Sequence, residues 1–262
     1  MASPDSDLIY HHFSTVAARY NDLRTTDPEP VDLMARRLVG LPAVTAADVG
    51  CGTGRYAVEL MRRLGDRLFV HFIDCNEDML EQVRLSLSGL GVTRFGTSQS
   101  RAELLPLPNG SLDYMLTFNA VHHFDLVPFL HEAARTLRPG GLLFIYTRFR
   151  SHNERGIWGR YFPRFTEKET RLHEEEDLVR AISSAPGLEV RDVTHFGFCR
   201  AASLGYLLER VSNNHYSTFC FYEPAELARA VEGFEVNLRA DYHDPETIEW
   251  VDENVMFTGE RL

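Results

Sequence analysis

The chain has 262 residues, of which 44% are hydrophobic and 25% charged, so it can bury a sizeable core and is not expected to be disordered. A formal net charge of −11 without a Lys/Arg-rich block argues against a nucleic-acid partner. The start of the chain resembles no secretory signal, no apolar run approaches the roughly 20 residues that span a bilayer, and the cysteines show no metal or disulfide spacing. We therefore expect a cytoplasmic protein with reduced cysteines, no metal and no membrane partner.

Helices are expected at the start of the chain. Residues 8–24 have the apolar spacing of one or two short helices, and a second helix is predicted from about Pro30 to Val39. From Val44 onward, apolar strands alternate with amphipathic helices. This alternation indicates a parallel sheet with helices on both faces, whose ligands bind beyond the carboxyl ends of the strands. The predicted strands are 44–50, 68–74, 92–97, 112–119 and 141–148, and the predicted helices are 55–65, 77–89 and 125–137.

The second half of the chain is less regular. Residues 149–173 are rich in arginine and aromatic residues and break the regular alternation of strands and helices. A helix at 174–184, a strand at 188–198 and two helices at 202–213 and 223–232 are expected to follow. A last strand at 253–260 is predicted to complete a seven-stranded sheet by an antiparallel edge pairing.

A glycine turn follows the first predicted strand. Asp48 ends that strand, and Gly50, Gly52 and Gly54 stand at alternate positions after it. Glycine allows a tight turn and the close approach of a ligand. Asp74 ends the second predicted strand, where a carboxylate can hold a ribose diol. A dinucleotide fingerprint would require a third glycine at the position of Arg55 or Ala57, so another nucleoside cofactor is favoured.

The turn reads D-x-G-x-G-x-G and resembles the first motif of class I S-adenosylmethionine-dependent methyltransferases. Three further stretches resemble small-molecule members of the type 11 group: residues 75–80, residues 101–114, and the Arg-Pro-Gly-Gly turn at 138–141. The resemblance, which is specific over about 13–148, implies a Rossmann-like, doubly wound, mostly parallel seven-stranded sheet in one domain. Residues 1–40 would form a helical lid, 44–148 the cofactor-binding core, and 149–262 a helical cap insertion and the last strands.

The resemblance also implies which residues bind the cofactor. Residues 13–24 resemble a lid segment whose tyrosine and arginine lie near the methionyl end, although Tyr20 could instead pack on the sheet. Met79 would pack against adenine or belong to the core, and Asn119 would orient a ligand or cap a turn. The implied binding residues are Tyr20, Arg24, Asp48, Gly50, Cys51, Gly52, Gly54, Asp74, Cys75, Met79, Ala102, Glu103 and Asn119.

Adenine recognition departs from the family pattern. Family members carry an acidic residue before Ala-Glu, where this chain has Arg101, which cannot accept a hydrogen bond. The backbone amide of Ala102 can still cap a ring nitrogen. The adenine amino group would then need a backbone carbonyl, Gln99, Ser100 or Glu103 as its acceptor.

The implied reaction moves a methyl group from S-adenosylmethionine to a small-molecule acceptor and leaves S-adenosylhomocysteine. Alignment of the reactants is the main requirement, and a base is needed only if the acceptor is protonated. His122 and His123 are the candidate bases, against a structural role. A catalytically silent cofactor-binding subunit and a nicotinamide oxidoreductase are the alternatives. The acceptor atom and the oligomeric state stay open.

Aromatic and histidine side chains outside the sheet pattern are predicted to roof the acceptor pocket. They are Tyr10, His11, His12, Phe13, Trp158, Tyr161, Phe162, Tyr216 and Phe219.

Overall fold

The computed structural model describes residues 4–262, with side chains from residue 7 onward, so the first three residues of the predicted lid lie outside the described part. Over that part the chain alternates strands and helices. The helices and strands are α1 (Pro4–Val16), α2 (Pro28–Leu38), β1 (Val44–Val49), α3 (Arg55–Leu64), β2 (Leu68–Asp74), α4 (Glu77–Gly89), β3 (Phe95–Gln99), β4 (Leu112–Phe118), α5 (Leu126–Thr136), β5 (Leu137–Thr147), α6 (Arg150–Arg155), α7 (Ile157–Tyr161), α8 (Phe165–Lys168), α9 (Glu175–Ser184), β6 (Leu188–Ala202), α10 (Leu204–Ser212), α11 (Pro224–Asp241) and β7 (Ile248–Arg261).

The strands form one sheet in the order β3-β2-β1-β4-β5-β7-β6. The pairs from β3 to β5 are parallel, and β7 is antiparallel to β5. This confirms the Rossmann-like, doubly wound, seven-stranded sheet. The strand order reverses between β1 and β4, so the carboxyl ends of these two strands form the edge where such sheets bind ligands. The last strand, predicted as an edge strand, lies between β5 and β6, and β6 is the edge.

The Arg-Pro-Gly-Gly stretch lies within β5 rather than before it. The register between β4 and β5 shifts from Leu112 opposite Leu137 to Tyr114 opposite Leu142, so β5 carries a bulge there. Gly140 has a φ of 78°. A Cβ on Gly141 would lie 2.8 Å from the carbonyl oxygen of Arg138, so the bulge requires glycine at this position.

Several other boundaries differ from the sequence prediction, including the end of β6 at Ala202 rather than residue 198 and the start of β7 at Ile248 rather than residue 253. Strand β3 begins at Phe95 rather than at residue 92. Helix α11 continues nine residues beyond the predicted end at 232, to Asp241 (241 − 232 = 9). It continues because Phe234 and Leu238, one turn apart, are both fully buried and their packing outweighs the low helix propensity of Gly233.

The chain forms two compact units. The sheet unit consists of Thr25–Thr147, Glu175–Thr194 and Val255–Leu262. The helical unit consists of the described residues up to Arg24, together with Arg148–Glu174 and His195–Asn254. None of the helices described is long and apolar enough to cross a membrane.

The core of the helical unit is unusually aromatic. Trp158 stacks on Phe234 with ring centroids 5.0 Å apart, and Phe162 packs on Phe219 at 5.1 Å. Of the residues predicted to roof the acceptor pocket, Trp158, Tyr161, Phe162 and Phe219 belong to this buried cluster. Core packing therefore accounts for much of the aromatic content of residues 149–173, and a roof over the acceptor stays a prediction.

Candidate functional site

The glycine turn has a backbone conformation that other residues rarely adopt. Gly50, Gly52 and Gly54 have φ angles of 65°, 53° and 73°, all in the left-handed region. A Cβ on Gly50 would lie 2.7 Å from Cβ of Ala120, and one on Gly54 would lie 2.8 Å from Cε1 of Phe72. Close protein neighbours thus add a further reason for glycine at Gly50 and Gly54, beyond the tight turn and the ligand approach expected from the sequence.

Asp74 joins this turn to the end of β2. The backbone N–H of Gly52 donates to its Oδ2 at 2.8 Å, and that of Asn76 donates to Oδ1 at 2.9 Å. The N–H groups of Gly50 and Cys51 donate to the carbonyl of Ile73, so the turn is held along its length. Cys75 also hydrogen-bonds to Asp74 through its backbone and its thiol, and the two carboxylate oxygens match two adjacent hydroxyl groups.

Asp48 is buried at the end of β1, with 2% of its surface exposed. Its Oδ1 has no hydrogen-bond partner among the described residues. Burial, and secondly the negative charge of Asp74, raise the pKa of Asp48 to about 8. A buried carboxyl group without a partner is costly and rare. The site can therefore accept a hydrogen-bond donor or a positive charge beside Asp48.

The two cysteines beside this turn are protonated thiols. Burial raises the pKa of Cys51 well above its ordinary value and that of Cys75 to about 11. The thiol of Cys51 donates to the carbonyl of Gly52 at 3.4 Å. Since a thiol is a weak nucleophile, neither residue is suited to covalent catalysis.

The predicted adenine side is formed by the start of α4. Asn76 caps this helix, since its side-chain oxygen accepts from the N–H of Met79 at 3.1 Å. An asparagine before the acidic pair Glu77–Asp78 is a typical helix start, and the sequence prediction missed this role of Asn76. Met79 is 1% exposed, which fits a core residue as well as a residue under a ring.

Arg101 forms an ion pair instead of accepting a hydrogen bond. Its Nε lies 3.0 Å from Oε2 of Glu103, whose Oε1 accepts from the N–H of Asp125 at 2.8 Å. Gln99 donates to the carbonyl of Cys75 and Ser100 to that of Leu104. Glu103 is thus used as an acceptor within the protein, whereas Gln99 and Ser100 act as donors in these contacts and keep acceptor capacity. Ala102 is buried beside them.

The end of β4 is closed by an unusual backbone turn. Asn119 has a φ of 52°, which asparagine tolerates better than most residues, and its N–H donates to the carbonyl of Tyr146 at 2.7 Å. His122 and His123 follow in a short 3-10 helix, Val121–His123, with ring centroids 4.1 Å apart. Phe118, the last residue of β4, stacks on Tyr56 with ring centroids 4.1 Å apart, which holds this end of the strand against α3.

The predicted site residues therefore fall into two groups. Residues 48–54, 74–79, 102–103 and 119–123 all follow strand ends of the sheet unit. Tyr20 and Arg24 belong to the helical unit, where the guanidinium carbon of Arg24 lies 5.2 Å from the ring centroid of Tyr20. Among the described side chains, no group of three or more His, Cys, Asp or Glu residues could hold a metal ion.

Comparisons with known proteins find similarity over the core of this chain. A family model described as a methyltransferase domain matches residues 46–141, which include the glycine turn and the strands after it. The chain is 27% identical over 213 residues to a ubiquinone/menaquinone biosynthesis C-methyltransferase, UbiE, of Enterobacter sp., covering 70% of this chain and 84% of that protein. UbiE of Shewanella frigidimarina is 30% identical over 155 residues, which cover 55% of this chain and 60% of that protein.

Solved structures share the fold at low identity. The YcgJ protein of Bacillus subtilis superimposes with a TM-score of 0.66 at 16% identity, over 90% of this chain and 99% of that one. Geranyl diphosphate C-methyltransferase of Streptomyces coelicolor, solved with Mg²⁺, geranyl diphosphate and S-adenosylhomocysteine, has a TM-score of 0.55 at 17% identity. That match covers 88% of this chain and 79% of that one.

Proposed function

Since the chain belongs to the class I S-adenosylmethionine-dependent methyltransferases, we propose that it methylates a small-molecule acceptor, with its cofactor held by the glycine turn, Asp48 and Asp74. The observation that carries this assignment of residues is the uncompensated carboxyl group of Asp48. It lies beside a second acid, Asp74, at the strand ends where such sheets bind ligands.

Asp74 is suited to the ribose of the cofactor. Backbone N–H groups of Gly52 and Asn76 hold its two oxygens in place, and Cys75 adds hydrogen bonds from its backbone and its thiol. A carboxylate fixed in this orientation offers one acceptor oxygen to each of the two ribose hydroxyls.

Asp48 is suited to the charged end of the cofactor. S-adenosylmethionine supplies an activated methyl group on a sulfonium and also carries an ammonium group. A positive charge beside Asp48 favours its ionised form and lowers its pKa from about 8. The buried carboxyl group then gains the partner that the protein itself does not provide.

The remaining chemistry needs little from the protein. The chain must hold the acceptor in line with the methyl group and exclude water, which accounts for a large part of the barrier reduction in such reactions. His122 and His123 would serve as bases only for an acceptor that loses a proton during transfer. We place the reaction in the cytoplasm, in agreement with the sequence-based expectation.

A labelled-transfer experiment tests the proposed function. Purified protein is incubated with methyl-labelled S-adenosylmethionine and a metabolite extract separated into low- and high-molecular-weight fractions. Carbon acceptors are added to the panel because UbiE and the geranyl diphosphate enzyme are named as C-methyltransferases. We expect label in the low-molecular-weight fraction together with S-adenosylhomocysteine. Label in macromolecules would contradict a small-molecule acceptor, and cofactor binding without any transfer would favour the silent subunit.

A further inference from the structure

We propose that the helical unit contains an oxyanion site, formed by Arg24, Arg148, Arg210 and His12 around Tyr216, that binds a carboxylate or phosphate group of the methyl acceptor. This inference rests on the proposed function, since it names the class of acceptor. The acceptor is an anionic molecule whose charged group binds to this cluster.

Tyr216 brings two guanidinium groups together. The guanidinium carbon of Arg24 lies 4.6 Å from the ring centroid of Tyr216, and that of Arg148 lies 5.7 Å from the same centroid. Arg148 also donates from Nη1 to the hydroxyl of Tyr216 at 3.3 Å. Contacts of this kind with an aromatic ring stabilise a cation but do not neutralise it.

Arg210 adds a third guanidinium with neutral partners. It donates to the carbonyl of Leu23 and to the hydroxyl of Tyr206. The buried ring of His215 lies 4.1 Å from the ring of Tyr216, measured between centroids, and its Nδ1 lies 3.2 Å from the backbone carbonyl oxygen of Arg210. Burial, followed by the charges of Arg24, Arg210 and Arg148, holds the pKa of His215 well below its usual value. The three guanidinium groups therefore act on one point in the unit.

His12 adds a buried ring nitrogen without a hydrogen-bond partner among the described residues, and Arg24 acts electrostatically on this ring. It is 5% exposed, and its Nδ1 lies 3.2 Å from Sγ of Cys220. Burial raises the pKa of Cys220, so the thiol keeps its hydrogen, and we assign Nδ1 of His12 as the acceptor because sulfur is a weak acceptor. Burial, then Arg24 and Arg171, lowers the pKa of His12 to about 4, so the ring is neutral and its one hydrogen is on Nε2.

Both unpartnered donors require an acceptor. Nε2 of His12 and Nε of Arg24 are buried without a hydrogen-bond partner among the described residues. Buried donors without acceptors are rare because each costs the free energy of its lost hydration. Oxygen atoms of a bound anion would satisfy both, and a guanidinium binds carboxylate and phosphate groups with paired hydrogen bonds.

The carboxylates that act on this cluster are already engaged. Glu169, 4% exposed, pairs with Arg171 and accepts from the hydroxyl of Thr218 at 2.6 Å. Asp252, which acts electrostatically on Arg210, pairs with Arg200 at 3.2 Å. Arg171 is thereby compensated, whereas among the described side chains no carboxylate pairs with Arg24 or Arg210, and an anionic ligand can balance their charge.

Two sources can supply such an anion: the acceptor, or the methionyl carboxylate of the cofactor. Titration calorimetry on the full chain separates them when S-adenosylhomocysteine is already present at saturation. The probes are phenyl phosphate and benzoate, and benzyl alcohol is the neutral control. We expect the two anions to bind at least about tenfold more tightly than benzyl alcohol, because charge-assisted hydrogen bonds are roughly twice as strong as neutral ones.

Three variants complete the test. Arg24→Gln and Arg148→Gln are each expected to weaken phenyl phosphate binding by about tenfold or more. Arg239→Gln is the matched control, because Arg239 is an exposed arginine of the same unit that pairs with Glu235 at 2.9 Å, and it should bind as the wild type does. Circular dichroism checks that each variant is folded. If one of the two test variants does not fold, the other still tests the proposed site.

Other outcomes overturn the inference. Equal binding of phenyl phosphate and benzyl alcohol would exclude an oxyanion site. Phenyl phosphate that binds only without S-adenosylhomocysteine, together with a loss of S-adenosylhomocysteine affinity in Arg24→Gln, would assign the cluster to the cofactor. Failure of the proposed function would be visible separately, as wild-type protein that does not bind S-adenosylhomocysteine at all.

Discussion

At the scale of single residues, Asp48 stands out because the fold buries a carboxyl group that it does not pair. With a pKa of about 8, this group is mostly protonated at neutral pH, and its pKa exceeds that of an unfolded aspartate. Between about pH 4 and 8, Asp48 therefore carries a proton in the folded protein but not in the unfolded one. Asp48 thus destabilises the folded protein progressively as the pH rises through that range. Above pH 8 the cost no longer changes.

Asp48 should release its proton when the cofactor binds. At pH 7 we expect up to about one proton per bound S-adenosylmethionine, because the positive ligand lowers the pKa of the carboxyl group. The measurement is titration calorimetry in two buffers with different ionisation enthalpies. Asp48→Asn should abolish the difference between buffers and should stabilise the protein more at pH 9 than at pH 5. A binding enthalpy independent of buffer in the wild type would refute this role.

The two histidines after β4 should contribute little to the rate. His122→Ala and His123→Ala are each expected to lower kcat by less than about tenfold, whereas loss of a true general base costs about 10²–10⁴. Initial rates with the acceptor from the labelled-transfer screen provide the measurement. A pH–rate limb near 6–7 that disappears in one of the variants would identify that histidine as a base.

At the scale of elements, the glycine turn depends on both backbone conformation and space. Three glycines of the sheet unit separate these effects. Gly54 has a φ of 73° and a close neighbour in Phe72, Gly65 has a φ of 62° with open space, and Gly40 has open space and no positive φ.

Replacement of these glycines by alanine should therefore give a graded series. We expect Gly40→Ala to change the free energy of unfolding by less than about 0.5 kcal/mol, and Gly65→Ala to cost about 1–2 kcal/mol. Gly54→Ala should cost about 3 kcal/mol or more, because the clash adds to the backbone strain. Urea unfolding provides the values. An equal loss in the free energy of unfolding for Gly54→Ala and Gly65→Ala would show that Phe72 moves to make room for the new methyl group. The turn would then be less tightly packed than described.

The regular elements could be predicted because their patterns are local. The apolar runs of β1, β2 and β4 and the amphipathic helices between them repeat at the periods of strand and helix. The bulge in β5 could not be predicted, since it depends on the register with β4. The end of α11 was also missed, because Phe234 and Leu238 extend the helix through contacts with distant residues.

At the scale of the whole molecule, the two units differ in how far the sequence reveals their roles. The positions of Asp48, Asp74 and the glycine turn follow from a short motif, and the structure places them at the ends of β1 and β2. Residues 12, 24, 148 and 210 lie far apart in the sequence, so no motif could indicate that they converge. Only the fold of the helical unit brings them together.

Aromatic packing should dominate the stability of the helical unit. Trp158→Ala is expected to cost about 3–5 kcal/mol, because the ring is 5% exposed and packs against Phe162, Phe165 and Phe234. Val236→Ala on the exposed face of α11 is the control and should change stability by less than about 0.5 kcal/mol. Chemical unfolding followed by far-ultraviolet circular dichroism, which does not depend on the tryptophan signal, measures the free energy of unfolding of both variants. A small cost for Trp158→Ala would favour the roof over the acceptor instead of the core.

The most direct test of the account as a whole is cofactor affinity in the wild type and in Asp74→Ala, measured by isothermal titration with S-adenosylmethionine and S-adenosylhomocysteine. Asp78→Ala, four positions later on the exposed start of α4, is the matched control. We predict that both ligands bind the wild type and Asp78→Ala equally well. Asp74→Ala should weaken both by about tenfold or more, since a buried hydrogen bond to a charged group is worth about 1.5–3 kcal/mol. Unchanged affinity in a folded Asp74→Ala protein would contradict the proposed cofactor site.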